Sequence, residues 1–320
     1  MFKKYPNRLS IEKMKQTFLY LSLFLFLIYS SNLHAQYHAD YEENHLITDD
    51  GTQLYVKKSG EGPLCIFVHG GPGAWSGSFE KLKGKNLEKK LAMVYYDQRG
   101  CGRSGKSTTD YSLERMVNDI EAVREHYQAD KIYLLSHSFG GILALNYAIK
   151  YPEHVQGLIL ANSTLNMHGS LNAQLQYMDS LSGYKSIPAD STTSSFIASF
   201  MQAKTALSEK GLDYKTISDN KQHVDLLNQI DHTNPGNYDF AQNIFQIEDY
   251  WKDYSTLTNN VMVPVLVITG KKDYAIGINH YKSFNFPNKS VQKLKGGHLL
   301  YFENNKEFCR TIFRFIKHHK

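Results

Sequence analysis

Three cysteines in 320 residues, Cys65, Cys101 and Cys309, are too far apart and odd in number for a disulfide framework, and their spacing fits no zinc site. They are expected as buried or loop thiols. Nor is any apolar run long enough to cross a bilayer as a helix: Phe18–Tyr29 is uncharged over about 12 residues, against the roughly 20 that a span needs. The sequence has no internal repeat and no low-complexity linker. Excess charge is also missing once its location is considered. The formal net charge is +5, but the first 35 residues hold five basic side chains against one acid, Glu12, which leaves about +1 for the rest. No nucleic-acid partner is therefore expected, and the basic end Ile316–Lys320 reads as a solvated helix end.

What the first residues do contain is the layout of a secretory signal. Lys3, Lys4, Arg8, Lys13 and Lys15 precede the apolar run, and Leu33-His34-Ala35 offers a cleavage site before Gln36. Residues 1–35 are read as a signal peptide, with Met14 as an alternative start and an uncleaved anchor as the alternative fate. A secreted or periplasmic protein without stable membrane association after cleavage is expected. The junction has no cysteine for a lipid anchor.

The remaining 285 or so residues can hold one large α/β domain carrying an insertion, or two small domains. Residues 41–58 alternate polar and apolar around Asp49-Asp50-Gly51, the pattern of a hairpin. Leu64–Val68, Leu91–Tyr96, Lys131–Leu135, Val155–Leu160 and Val263–Thr269 are short apolar runs of the kind buried on both faces of a sheet. Helical patterns over Leu113–Tyr127 and Phe139–Lys150 alternate with them, which predicts a mostly parallel sheet flanked by helices.

The most informative stretch is Lys131–Leu145. Its apolar run stops at Ser136-His137-Ser138-Phe139-Gly140-Gly141 and resumes at helical spacing, which reads as strand, sharp turn and helix. Such a turn holds Ser138 in a strained conformation with its hydroxyl above the sheet edge. The stretch resembles the Gly-x-Ser-x-Gly nucleophile elbow of the α/β-hydrolase family, with Ser136 where the family usually has glycine. Strand Leu64–Val68 runs into His69-Gly70-Gly71-Pro72-Gly73, a tight turn on a structural reading and half of an oxyanion hole on a functional one. The candidate donors are the backbone N–H groups of Gly71 and Phe139. A further loop, Asp97-Gln98-Arg99-Gly100-Cys101-Gly102-Arg103-Ser104, follows the next strand. Asp97 and Arg99 are read there as braces for neighbouring loops rather than substrate contacts.

In this order, the three loops together resemble the prolyl aminopeptidase (proline iminopeptidase) branch of the α/β-hydrolases, over most of residues 41–166 and 261–320. The resemblance implies the chain order Ser, acid, His. Asp273, after strand Val263–Thr269, is the acid. His298, preceded by two glycines and followed by an apolar run, is the base. His137 is expected to point away as scaffolding. Residues 167–258 are read as a helical cap between core pieces 36–166 and 259–320. Its aromatics Phe196, Phe200, Phe240, Phe245, Tyr250, Trp251 and Tyr254 are assigned first to the cap's own packing and second to a pocket. The branch holds its substrate's ammonium group with cap carboxylates. That implies Asp239 here, with Glu209 and Glu248 behind it, although Tyr274 stands where some relatives carry a second acid.

The function expected is a serine hydrolase that needs no metal or organic cofactor and acts on a short peptide or small molecule, releasing N-terminal proline or a small residue. A carboxylesterase for small apolar esters is the alternative within enzymes. A non-catalytic binding protein on the same fold is the alternative outside them. Oligomeric state is left open.

Overall fold

The computed structural model describes residues 45–105, 110–234 and 236–319; the expected signal peptide lies outside them. Eight strands form one sheet in the order β1-β2-β4-β3-β5-β6-β7-β8, where β1 is His45–Ile47, β2 Gln53–Ser59, β3 Leu64–Val68, β4 Ala92–Tyr96, β5 Ile132–Ser138, β6 Val155–Ser163, β7 Val265–Gly270 and β8 Lys289–Leu294. β2 pairs antiparallel with β4, and every pairing from β4 through β3, β5, β6 and β7 to β8 is parallel. The first two strands meet across a turn in which Gly51 has φ +82° and Thr48 N donates to Thr52 O at 3.0 Å.

The central strands are apolar throughout because both faces are covered. Ile66 and Val68 face one core with Leu134, Leu158 and helices α2 (Leu113–His126) and α3 (Gly140–Lys150), whereas Cys65 and Phe67 face the other with Leu135, Ile159 and residues of α1 (Ser76–Lys81) and α9 (Asn305–His318). Successive side chains of a strand point to opposite faces, so both sets must be apolar. Helix α2 starts at Ser112, whose side chain accepts from Arg115 N at 3.3 Å. All three cysteines are buried and free. β8 differs from the other parallel strands: its sequence Lys-Ser-Val-Gln-Lys-Leu is mostly polar and half exposed, as an edge strand must be, and the apolar-run criterion passes over it.

Between β6 and β7 the described residues are helical and form no sheet strand. They comprise α4 (Met167–Ser182), α5 (Thr193–Glu209), α6 (Lys221–Asp231), α7 (Asp239–Asn243) and several short 3-10 turns ending at Asn260. This insertion has a small core of its own in Leu175, Met178, Phe196, Ala203 and Leu207. The short α8 (Leu300–Glu303) then precedes α9. Among the described residues no helix is long and apolar enough to cross a membrane.

Candidate active site

The parallel strands all point their C-terminal ends the same way, and the loops leaving those ends build the site. β5 ends at Ser138 with φ +53°, in the left-handed region that a non-glycine residue enters at a cost of about 1–3 kcal/mol. Close packing enforces that geometry. A Cβ on Gly70 would lie 2.7 Å from Ser138 Cβ, and one on Gly140 would lie 2.2 Å from Val68 O, so the glycine loop after β3 and the start of α3 tolerate no side chain there. Ser136, which replaces the usual glycine, is fully buried with its hydroxyl 2.9 Å from that of Ser163. Phe139 is the N-cap of α3 and Gly71 sits at φ +125°. Neither backbone N–H has a hydrogen-bond partner among the described residues, and both residues line the same cavity as Ser138.

His298 lines that cavity as well. Its Nδ1 lies 3.0 and 3.1 Å from the two carboxylate oxygens of the fully buried Asp273. A carboxylate only accepts, so Nδ1 carries the hydrogen and Nε2 is left with its lone pair. Among the described residues neither Nε2 nor Ser138 Oγ has a hydrogen-bond partner, and the two are not bonded to each other in this state. Contacts of this kind are commonly loose without substrate and tighten with it.

His137 departs from the sequence expectation. It does not point away: its ring packs 4.5 Å from that of His298, and its Nε2–H donates to His298 O at 2.9 Å. Burial, and then the neighbouring His298, push its pKa down to about 3, so it stays neutral. The elbow brings it against the base loop.

Asp97 and Arg99 sit behind the cavity wall. Asp97 is fully buried and accepts from Ser76 N at 2.8 Å, Ser76 Oγ at 2.7 Å, Arg103 N at 2.9 Å and Arg103 Nε at 2.7 Å. Burial opposes its ionisation, but the hydrogen bonds and charge of Arg103 outweigh that and hold its carboxyl below the usual carboxylate range. Arg99 grips Asp119 through Nε and Nη2, both at 2.6 Å, and Asp50 through Nη1 at 2.7 Å. Gln98 N donates to His69 Nε2 at 2.9 Å, while His69 Nδ1–H donates to Gly70 O at 2.9 Å, which ties this loop to the glycine turn.

The cavity measures about 330 Å³ and is walled largely by apolar side chains, among them Phe67, Met167, Leu171, Leu227, Phe245 and Ile276. Asp239 is not in its wall, contrary to expectation. Its carboxylate accepts from Tyr111 OH at 2.5 Å, at the start of α7, where the insertion packs against the loop before α2. Glu209 and Glu248 are exposed and likewise absent from the wall. The carboxylate that does line the cavity is Asp231, at the last residue of α6. Its Oδ1 accepts from Trp75 Nε1 at 2.9 Å and Ser78 Oγ at 2.5 Å, and Oδ2 has no hydrogen-bond partner among the described residues. No local motif marks it, because only the packing of α6 onto α1 brings it there. Of the seven aromatics named from sequence, Phe245 alone lines the cavity. Phe196, Phe200 and Trp251 pack in the insertion's own core, and Phe240, Tyr250 and Tyr254 join the main core of the sheet. Tyr274 stacks on Tyr177 of α4, with ring centroids 3.7 Å apart. No cluster of metal-ligating side chains occurs among the described residues.

Residues 63–305 match the family model described as alpha/beta hydrolase fold. The chain is 37% identical over 127 residues to a proline iminopeptidase of Lactobacillus helveticus, covering 38% of this chain and 43% of that one. It is 31% identical over 154 residues to a proline iminopeptidase of Heyndrickxia coagulans, covering 47% and 51%. The chain thus spans about half the length, or less, of these curated relatives. Among solved structures, a proline iminopeptidase-related protein from Thermus thermophilus superposes with a TM-score of 0.71 at 20% identity, covering 86% of this chain and 96% of that one.

Proposed function

This chain belongs to the α/β hydrolase fold family, and from that premise we propose a serine hydrolase, specifically an aminopeptidase that releases N-terminal proline or a small residue from short peptides. The observation that carries the hydrolase reading is the Asp273–His298 pair, in which the carboxylate engages Nδ1 of a histidine that lines the same cavity as Ser138.

In this mechanism Ser138 Oγ attacks the substrate carbonyl as His298 Nε2 takes its proton. Asp273 keeps the imidazole oriented and stabilises the imidazolium. The N–H groups of Gly71 and Phe139 receive the oxyanion, each contributing on the order of 3 kcal/mol. His298 then protonates the leaving amine, and a water activated by the same nitrogen hydrolyses the acyl-enzyme. The Ser138–His298 contact closes when substrate enters. No metal or organic cofactor takes part.

The aminopeptidase reading is supported by the names of the curated relatives and by Asp231, the one carboxylate side chain in a largely apolar wall among the described residues, which suits a free ammonium group. A carboxylesterase is the second reading, favoured by the same apolar wall. Residues 167–258 serve as the cap in either case, and residues 1–35 as a signal peptide that directs the protein to the periplasm or the exterior.

A fluorophosphonate is expected to add once, at Ser138, by intact and peptide mass spectrometry; a folded protein that does not react is a binder and not an enzyme. Proline β-naphthylamide is expected to turn over at least about 10-fold faster than its N-acetylated form. Equal turnover of both, with p-nitrophenyl acetate also consumed, assigns the protein to the esterases. Amino-terminal sequencing of the exported protein is expected to start at Gln36.

A further inference from the structure

The hydrolase reading names a base and an acid but not what holds their loops in register. His298 arrives on a loop after β8, and Asp273 on a loop after β7. The two loops touch at their backbones: a Cβ on Gly270, the last residue of β7, would lie 2.4 Å from Gly297 O. The carbonyl oxygens of Gly297 and His298 face this junction and cannot bond to each other, so a third party must satisfy them.

Asn162, near the end of β6, the strand beside β7, does this. It is 1% exposed and has φ +46°, a conformation that asparagine accepts more readily than most residues. Its Nδ2 donates to Gly297 O at 2.8 Å and to His298 O at 2.9 Å, and its Oδ1 accepts from Gly270 N at 2.8 Å. One side chain therefore spans the base loop and the strand end that carries the acid, using both of its donor hydrogens and its acceptor. The peptide on either side of His298 is held further by His137 Nε2 on His298 O, by Ile217 O accepting from His298 N at 2.8 Å, and by Glu303, which accepts from Gly297 N. These other contacts fix the base loop to the elbow, the insertion and α8. The backbone joins the two loops directly where Lys272 N donates to Gly296 O at 3.0 Å, and Asn162 is the side chain that bonds both the peptide of His298 and the end of the acid's strand.

We propose that Asn162 is a positioning residue that sets the His298 imidazole at its working angle to Asp273 and Ser138. It does not line the cavity and touches no substrate. The proposal rests on the reading of His298 as the base. Asparagine is required by its chemistry: an aspartate of the same shape would aim an oxygen at two carbonyl oxygens, and an alanine would leave three buried backbone groups without this partner.

The test compares wild type with Asn162→Asp and with Asn162→Gly, which suits the positive φ and leaves room for water. The first readout is the downfield proton resonance of His298 Nδ1–H, assigned by its loss in Asp273→Asn. The second is kcat and KM on the best substrate found, with melting temperature as the fold check. Folded variants are expected to lose or shift the resonance and to drop kcat about 10- to 100-fold with KM changed less than about 2-fold, as a misplaced catalytic group does. A folded variant of either kind that keeps the wild-type resonance and kcat overturns the proposal. If the wild type proves inactive towards every substrate and towards fluorophosphonate, the hydrolase reading fails on its own, and the resonance comparison still decides whether Asn162 positions His298.

Discussion

The two walls of the cavity are built by different means. One wall, carrying Ser138, Gly71, Phe139 and His298, stands on the ends of parallel strands and is braced by polar pairs such as Asp97 with Arg103 and His69 with Gln98. The other, carrying Met167, Leu171, Leu227, Asp231 and Phe245, belongs to the helical insertion, which has its own small core and whose α6 end is tied to α1 by polar contacts of Trp75 and Ser78 with Asp231. On the proposed function, the reacting groups, which must be held to fractions of an ångström, stand on the strand ends, and selection of substrate falls to the shaped and charged lining that the insertion supplies.

If the division is real, substitutions in the first wall should act on kcat and those in the second on KM. The largest effect is expected at Ser138. Ser138→Ala should lower kcat by a factor on the order of 10⁴–10⁶ and abolish fluorophosphonate addition. Ser138→Gly should be equally inactive yet more stable by about 1 kcal/mol, because glycine occupies φ +53° without strain. Steady-state kinetics and urea unfolding check both, and a Ser138→Gly variant less stable than wild type would argue that the elbow is not strained.

Next comes the brace. Arg103→Gln strips the fully buried Asp97 of two charged donors, leaving it the N–H groups of Arg103 and Ser76 and the hydroxyl of Ser76, and should cost about 3 kcal/mol of stability at pH 7. Because the folded-state pKa of Asp97 is depressed, its contribution is present above the unfolded value near 4 and is lost as pH falls through the lower folded value. Urea unfolding from pH 7 downward should therefore show a shallower acid loss in Arg103→Gln than in wild type.

A smaller and more selective effect is expected across the cavity. Asp231→Asn keeps an acceptor for Trp75 and Ser78 but removes the charge, so KM for a free-amine substrate should rise about 10- to 50-fold while the N-acetylated substrate is unaffected. Equal changes for both substrates would place the amine's partner elsewhere.

The same division explains what could be read from the sequence. The elbow, the glycine turn and the Asp97 loop are contiguous, because a strand end followed by a tight turn is a local event, and strand β5 and helix α3 announce themselves by period. β8 was not legible, since an edge strand carries no apolar run. His137 was misjudged because its partner, the carbonyl of His298, lies 161 residues away. Asp231 has no local signature at all. It ends an amphipathic helix like many acids, and only the docking of α6 on α1 turns it towards the cavity. Position relative to the acid strand pointed instead to Asp239, whose carboxylate is engaged on the far side by Tyr111.

Asp239 therefore provides the sharpest control for the comparison, and the smallest expected effect. It lies in the insertion, carries the same charge as Asp231, and sits at the start of a helix where an acid is favourable. Its oxygen takes a hydroxyl hydrogen that an asparagine oxygen can also take. Asp239→Asn should accordingly lower stability by no more than about 1 kcal/mol and leave kcat and KM for free and blocked substrates within about 2-fold of wild type. A selective rise in KM for the free amine in Asp239→Asn, with Asp231→Asn silent, would reverse the assignment and require α7 to swing its first turn into the cavity when substrate binds.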